Sequence, residues 1–341
     1  MLEIDGAMGE GGGQVLRSSL SLSILTGKPV HITNIRAARQ KPGLQPQHLQ
    51  AVLAAAAICG AEVRGAAINS QQLFFEPGAV HAGRYRFDIG TAGAATLVLQ
   101  TVFLPLARAG GTSNVIIRGG THVPFSPAYH YLERQWLPVL QERGYWMRLV
   151  CNQAGFYPAG GGEIQASIRP AETIEPLRRM ERGKLLRIRG ISAVANLDEA
   201  IAKRQKLQAL RRLEPVCANS KIEIVQLPSA GKGTLLLVQA EFEQAAGCYF
   251  GLGALGKRAE AVADEAVDGL LGFLAGPGTV DEHLADQLLL PLALANGESQ
   301  FRTAKVTRHL LTNAEVLQIF LPARVRVNGS EGEPGIVTVK P

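Results

Sequence analysis

With 341 residues, 46% of them apolar and 19% charged, the chain is too long for one ordinary domain and apolar enough to bury a large core. No apolar run approaches the roughly eighteen residues of a membrane span, and the acidic, glycine-rich stretch Met1 to Gly13 has neither the basic start nor the apolar body of a signal peptide. Four scattered cysteines without a CxxC pair argue against a disulfide framework or a zinc site and for a cytoplasmic protein, while a net charge of +6 tolerates an anionic partner without demanding one.

Strand-like and helix-like stretches alternate along the chain, the pattern of an α/β or α+β fold. After the glycine run at 11–13, Leu16, Leu20 and Ile24 make one apolar helix face within Val15 to Thr26, which stops at Gly27. Val30 to Arg36 alternates as a strand, Pro46 to Gly60 reads as an alanine-rich helix, and Ala61 to Val63 and Leu73 to Phe75 as short strands. The order then recurs: strand Arg84 to Ile89, helix Ala92 to Ala109, strand Ser113 to Arg118, helix Pro127 to Arg143. Near the C-terminus Leu284, Leu288 and Leu292 mark a helix, followed by a strand at Gln300 to Val306.

Phe103-Leu104-Pro105-Leu106-Ala107 slides without gaps onto Leu289-Leu290-Pro291-Leu292-Ala293, and the same slide lays Gly111 on Gly297, Ser113 on Ser299 and Thr121 on Thr307. A domain built from copies of one α/β unit is expected. Between the copies lies a piece of different character. It reads as strand Leu185 to Ile191, charged helix Leu197 to Glu214, strands at Ile222 to Gln226, Leu235 to Phe242 and Cys248 to Gly251, and helix Ala259 to Leu274, ending at Gly276-Pro277. This reads as a small inserted domain that leaves the main domain discontinuous.

Four segments carry candidate chemistry. Gly9-Glu10-Gly11-Gly12-Gly13-Gln14 leads into a helix with Arg17 in its first turn, which reads equally as an anion cradle at a helix N-terminus or as a tight turn with a solvent-facing carboxylate. It is neither a Walker A loop nor a dinucleotide fingerprint. A second glycine loop, Ala159 to Gly162, follows Phe156-Tyr157-Pro158 and reads first as a turn entering a strand. Arg36, Arg39 and Lys41, with Gln47 and His48 behind them, would clamp a phosphate if strand end and helix start share a cleft. His309, in Arg308-His309-Leu310-Leu311-Thr312-Asn313, falls at the end of the last repeated strand, a common place for α/β sites, as a general base, nucleophile or metal ligand.

Taken together, GEGGGQ, IRAARQKPGLQPQH at 35–48, FYPAGGG at 156–162, HLADQ at 283–287 and RHLLTN at 308–313 resemble the RNA 3'-terminal phosphate cyclase family, in family order and over nearly the whole chain. The resemblance implies a large domain of three repeated βαβαββ units, residues 1–183 and 277–341, with a small inserted thioredoxin-like α/β domain at 184–276. The activity it implies is ATP-dependent conversion of an RNA 3'-phosphate to a 2',3'-cyclic phosphate. The route runs through a covalent histidine–AMP and an RNA-adenylate, releasing AMP and pyrophosphate.

Carried over by motif, His309 is the nucleophile and Glu10 the contact of Mg²⁺ or Mn²⁺, while Arg17, Arg36, Arg39, Gln47 and His48 hold the phosphates of ATP or of the RNA end. Gln100, Phe250, Asp286 and Gln287 match nucleoside-binding positions, with His283, Leu284 and Ala285 beside them, and Pro127 and Tyr131 match the walls around adenine. His283 stands where a family member stacks a tyrosine on adenine, so the stacking area is smaller here. The implied partner is RNA with a 3'-terminal phosphate, with no membrane; the sequence leaves the oligomeric state open. The competing reading is a catalytically inactive cyclase-like RNA-binding protein of ribosomal RNA processing, against which the retained His309 counts. An enolpyruvyl transferase, which shares the repeat, carries two full repeat sets where this chain has one and an insert.

Overall fold

The computed structural model describes residues 1–341. The chain opens with β1 (Leu2–Asp5), α1 (Gly13–Thr26), β2 (Val30–Thr33), α2 (Pro46–Cys59), β3 (Glu62–Arg64) and β4 (Leu73–Glu76), a four-stranded sheet ordered β1-β2-β4-β3. Next come β5 (Arg84–Asp88), α3 (Ala95–Ala107), β6 (Ser113–Gly119) and a composite helix of α4 (Tyr129–Tyr131), a π turn (Leu132–Trp136) and α5 (Leu137–Glu142). With β7 (Trp146–Gln153) and β8 (Gly162–Arg169) they form a second sheet, β5-β6-β8-β7. After the short β9 (Arg178–Arg179) the chain leaves for β10 (Leu185–Ala195), α6 (Glu199–Leu213), β11 (Lys221–Gln226), β12 (Gly233–Phe242), β13 (Ala246–Leu252) and α7 (Ala259–Ala275), whose strands order as β11-β10-β12-β13. It returns with α8 (Glu282–Gln287), α9 (Leu289–Leu292), β14 (Ser299–Thr303), α10 (Arg308–Phe320), β15 (Arg324–Asn328) and β16 (Gly335–Lys340), which with β9 form β9-β14-β16-β15.

The first, second and last of these sheets share one design. The leading strand pairs parallel with the second, and the remaining pairs are antiparallel. Parallel neighbours need a helical crossover, which α1 and α3 supply directly and α8–α9, after the excursion, supply in the third. The sliding register is physical: Ser113 and Ser299, which it superposes, are both buried. Each accepts a backbone N–H from just before the neighbouring strand, Gly83 at 3.3 Å and Leu177 at 3.0 Å.

The intervening sheet is covered on both faces along most of its two central strands, β10 and β12. Ile188, Leu236, Val238 and Ala240 pack under α6 and α7 with Val262, Ala266 and Leu270. Their alternates Ile191, Ala193, Leu235, Leu237 and Cys248 join the core of the three repeated sheets. Phe156, from the second glycine segment, packs with Ala154 and Ala195 in a smaller cluster. No helix is long and apolar enough to cross a membrane.

Some expectations shift. The strand expected to run to Arg36 ends at Thr33, because Asn34 (φ 49°) and Arg36 (φ 54°) turn the chain through left-handed backbone. The strand expected at Gln300 to Val306 stops at Thr303, and Thr307 caps α10 with its hydroxyl, so His309 rides the first turn of a helix and not a strand end. Strand β8 is the one expected after the second glycine loop, while β7, β15 and β16 belong to the repeats but carry no expectation from sequence.

Removing the Ser299 hydroxyl leaves the Leu177 N–H buried without an acceptor. Ser299→Ala is therefore expected to lower unfolding free energy by roughly 1–3 kcal/mol, and Ser113→Ala, whose bond is longer and less enclosed, by less. Denaturant unfolding of both variants checks the ranking.

Candidate active site

Three helices, α1, α8 and α10, converge on the first glycine loop. Gly9 adopts φ 58°, and its missing side chain admits α10: a Cβ there would lie 2.0 Å from Thr312 Oγ1. That hydroxyl accepts from the Glu10 N–H at 3.1 Å. Ser18 Oγ on α1 donates to Asn313 Oδ1 at 2.6 Å, and Asn313 Nδ2 donates to the Asp286 carbonyl on α8 at 2.8 Å. These bonds lock the glycine loop, α8 and α10 into one frame.

Within the frame, His309 Nδ1 lies 3.0 Å from Gln14 Oε1, and Gln14 Nε2 donates to Asp286 Oδ2 at 2.5 Å. Because the amide nitrogen is spent on the carboxylate, the amide oxygen faces the imidazole. Nδ1 must then carry the ring proton, and Nε2 keeps its lone pair. The His309 side chain is 56% exposed, whereas that of Glu10, whose Oε1 lies 3.7 Å from Nδ1, is 8% exposed. An accessible ring nitrogen thus stands over a sunken carboxylate. Glu10 Oε2 is bonded by Arg39, which also donates to the Glu10 carbonyl at 2.9 Å.

Gly13 opens the second part of the cleft, since a Cβ there would meet His48 Nε2 at 2.3 Å and Arg17 Nη1 at 2.8 Å. His48 Nδ1 accepts from the Gln45 N–H at 3.2 Å, which places its proton on Nε2. Burial, helped by Arg17 and Arg36, pulls its pKa down to about 3, so it is a neutral donor. Burial likewise pulls Arg17 down to about 10, and no carboxylate or other acceptor bonds its guanidinium. The N-cap of α1, Gly12, offers no side-chain cap. A cation without a hydrogen-bonded acceptor, beside an uncapped helix N-terminus, is an arrangement that can hold an anion.

The other basic residues divide. Arg36 donates to the Lys41 and Gly43 carbonyls and so holds its own turn, and exposed Lys41 flanks it. Gln47 Oε1 accepts from Ala94 N at 2.8 Å, fixing the start of α3. The second glycine loop lines a different cavity of about 490 Å³, with Asp88, Arg118, Asn152 and Glu163.

On α8, His283, Asp286 and Gln287 sit at i, i+3 and i+4, one helix face. Leu284 and Ala285 turn into the core, so only their backbone is available to a ligand. Gln100 Nε2 donates to Gln287 Oε1 at 2.6 Å. His283 is edge-on to Tyr131 at 6.5 Å between ring centroids, and Tyr131 lies 6.1 Å from Phe250, giving an aromatic corner at one end of α8. Pro127 is half-buried two residues before α4. Sequence reasoning singled out neither Gln14, although it closes the GEGGGQ motif, nor Asp281, whose only signal was its place as an N-cap before an apolar helix.

No group of three or more acidic, histidine or cysteine side chains gathers as a metal cage. Glu10 is a single hard ligand, half engaged by Arg39. That donor set suits a divalent ion that draws most of its oxygens from a bound polyphosphate.

Comparison with known proteins places these features in context. The RNA 3'-terminal phosphate cyclase profile matches residues 8–327. A protein of Nostoc punctiforme bearing that name is 45% identical, with 100% of this chain and 99% of the relative covered. One of Pseudomonas fluorescens is 48% identical over 95% of this chain and 94% of its own length. One of Salmonella enteritidis is 43% identical over 97% and 96%.

Lost solvation lifts the Asp286 carboxyl to about 6, against the opposing pull of His309, His283 and Arg17. An acid with a raised folded value holds its proton more tightly in the native state. Its contribution to stability is full below the free carboxyl range near ~4 and is lost as pH rises through about 6. Asp286→Asn should therefore gain stability relative to the parent as pH climbs from 4 to 7. Denaturant unfolding across that range checks this, and a pH-independent difference contradicts it.

Proposed function

The chain belongs to the RNA 3'-terminal phosphate cyclase family, and from that membership we propose that it converts an RNA 3'-phosphate to a 2',3'-cyclic phosphate at the expense of ATP, with His309 as the adenylated nucleophile. The observation that carries the reading is the relay Asp286–Gln14–His309, which leaves Nε2 unprotonated on the exposed side of the ring.

In the first step the Nε2 lone pair attacks the α-phosphorus of ATP. The bond to the β-phosphate bridging oxygen breaks, and pyrophosphate leaves with that electron pair. The ring now holds a phosphorus–nitrogen bond and retains its Nδ1 proton. The positive charge so created faces the Gln14 oxygen at 3.0 Å and Glu10 Oε1 at 3.7 Å, both already in place. In the second step an oxygen of the RNA 3'-phosphate attacks the same phosphorus and the P–N electrons return to Nε2. In the third, the neighbouring 2'-hydroxyl attacks the activated 3'-phosphorus, loses its proton to solvent or base, and expels AMP. That last attack is intramolecular, so its entropic cost is already met by the ribose.

Arg17 and the His48 Nε2–H supply a cation and a neutral donor for phosphate oxygens, and the uncapped amides of α1 add to them. Arg39 bridges to Glu10, so a polyphosphate would compete for Arg39 and its divalent ion for Glu10. The bound divalent ion supplies charge neutralisation of the triphosphate, with Glu10 as its protein ligand. The aromatic corner of Tyr131, Phe250 and His283 accounts for base recognition, and Gln100 with Gln287 for polar contacts beside it.

Incubation with ATP and Mg²⁺ or Mn²⁺ should add one adenylyl group to the intact protein, at His309, with none on His309→Asn. Gln14→Leu, which removes the acceptor that fixes the tautomer, should slow adenylylation roughly 10–100-fold while leaving the fold intact. Mass spectrometry of the intact protein reads both, and an adenylyl group found elsewhere, or none on the parent, sinks the proposal.

A further inference from the structure

One buried carboxylate lies outside this chemistry. Asp281 is wholly buried, and no cation pairs with it. Four donors surround it instead. Tyr131 Oη reaches Oδ1 at 2.7 Å and Gln135 Nε2 reaches Oδ2 at 2.7 Å, while the His283 and Leu284 backbone N–H groups reach Oδ1 at 3.2 and 2.9 Å. The last two make Asp281 the N-cap of α8, the helix that displays His283, Asp286 and Gln287.

The chain of bonds continues into the intervening sheet. Gln135 Nε2 also donates to the Ala246 carbonyl at 2.8 Å, on β13. Gln239, on β12, uses its amide nitrogen on Gln135 Oε1 at 3.1 Å and on the Arg134 carbonyl at 2.7 Å. Gln135 and Gln239 are both buried. Gln135 lies in the π turn, a rare helical form found mostly at functional sites, and the same composite helix carries Tyr131 four residues earlier. Three elements distant in sequence thus hold one unpaired charge.

A buried carboxylate without a cation is expensive. An apolar or amide replacement that filled the space would be less costly to bury. Its cost is offset only if every donor is in place, which makes the arrangement all-or-none in geometry.

We infer that Asp281 is the positioning residue of the nucleotide helix, and that the inserted sheet sets that helix through Gln239 and Gln135. The inference rests on the reading that α8 contacts ATP. The insert then serves the nucleotide site twice, by placing Phe250 in the aromatic corner and, without contact, by setting α8 through Gln239. Removing Gln239 or Gln135 loosens the N-terminal end of α8, with His283, against the aromatic corner, while Asp286 at the other end stays tied to α10 through Asn313, so the affinity for ATP falls and the nucleophile is unchanged.

The test measures self-adenylylation of the full chain against ATP concentration for Gln239→Leu, Gln135→Leu, the double variant and Asp281→Asn, with thermal unfolding in parallel. Each single leucine variant should raise KM for ATP about tenfold or more, with the rate at saturating ATP within a factor of about three. The double variant should be no worse than the poorer single one, because both cut the same line. Asp281→Asn, which keeps one acceptor oxygen for the helix N-terminus but turns its amide nitrogen on the Gln135 donor, should raise KM to a similar degree. Cyclisation of a pre-adenylated RNA, in which the 2'-hydroxyl attacks the 3'-phosphorus and AMP leaves, needs no ATP and should keep the parental rate at saturating RNA in all of them. Unchanged KM in folded Gln135→Leu and Gln239→Leu overturns the inference, as does a loss confined to the saturated rate. Failure of the parent to adenylylate at all would instead defeat the functional reading beneath it.

Discussion

The site depends on a single hydrogen bond whose direction is decided two residues away. Gln14 has one nitrogen and one oxygen to offer, and Asp286 claims the nitrogen. The imidazole of His309 therefore meets an acceptor and must present a proton to it, so its opposite nitrogen points outward bare. Reversing the amide would reverse the imidazole and bury its lone pair. Everything that brings α1, α8 and α10 together serves to keep this amide from turning: the Gly9–Thr312 contact, the Ser18–Asn313 bond and the Asn313 hold on α8.

Repetition explains where that convergence falls. Each repeated unit sends a helix across from its first strand to its second. The site uses the crossover helix of the first unit, the crossover helix of the last, and the last unit's second helix. The middle unit contributes its composite helix, which carries Tyr131 and the π turn. The intervening sheet is wedged between, with alternate strand residues committed to its own helices and to the shared core. Such a sheet behaves as a structural wall of the molecule and not as a tethered module.

Much of this was legible from residues alone, and what was not has physical causes. The helices and the inserted strands announced themselves because apolar periodicity survives in a single sequence; the Ser113–Ser299 register even survives as matching hydrogen bonds. The glycine loops and basic cluster were visible as chemistry. Their division of labour was not, since Arg36 and Arg39 differ only in what the folded turn places before them: backbone carbonyls for one and Glu10 for the other. His309 was assigned to a strand end because Thr307 reads as an ordinary strand residue until it caps a helix. Asp281 and Gln135 were invisible, because a buried polar group declares itself only through partners drawn from remote stretches of chain. Gln14 lay inside a recognised motif, yet its role depends on which way its amide faces.

Gln14, the hydrogen-bond partner of His309, is separated from it by 295 positions along the chain. A protein emerging from the ribosome exposes its glycine loop long before the matching helix exists, and the first sheet can fold early with its catalytic side unfinished. Under the proposed chemistry, self-charging with nucleotide would thereby be reserved for molecules whose synthesis has reached α10. Incomplete translation products would spend no ATP, since they carry Glu10 and Gln14 but not yet the reactive nitrogen itself.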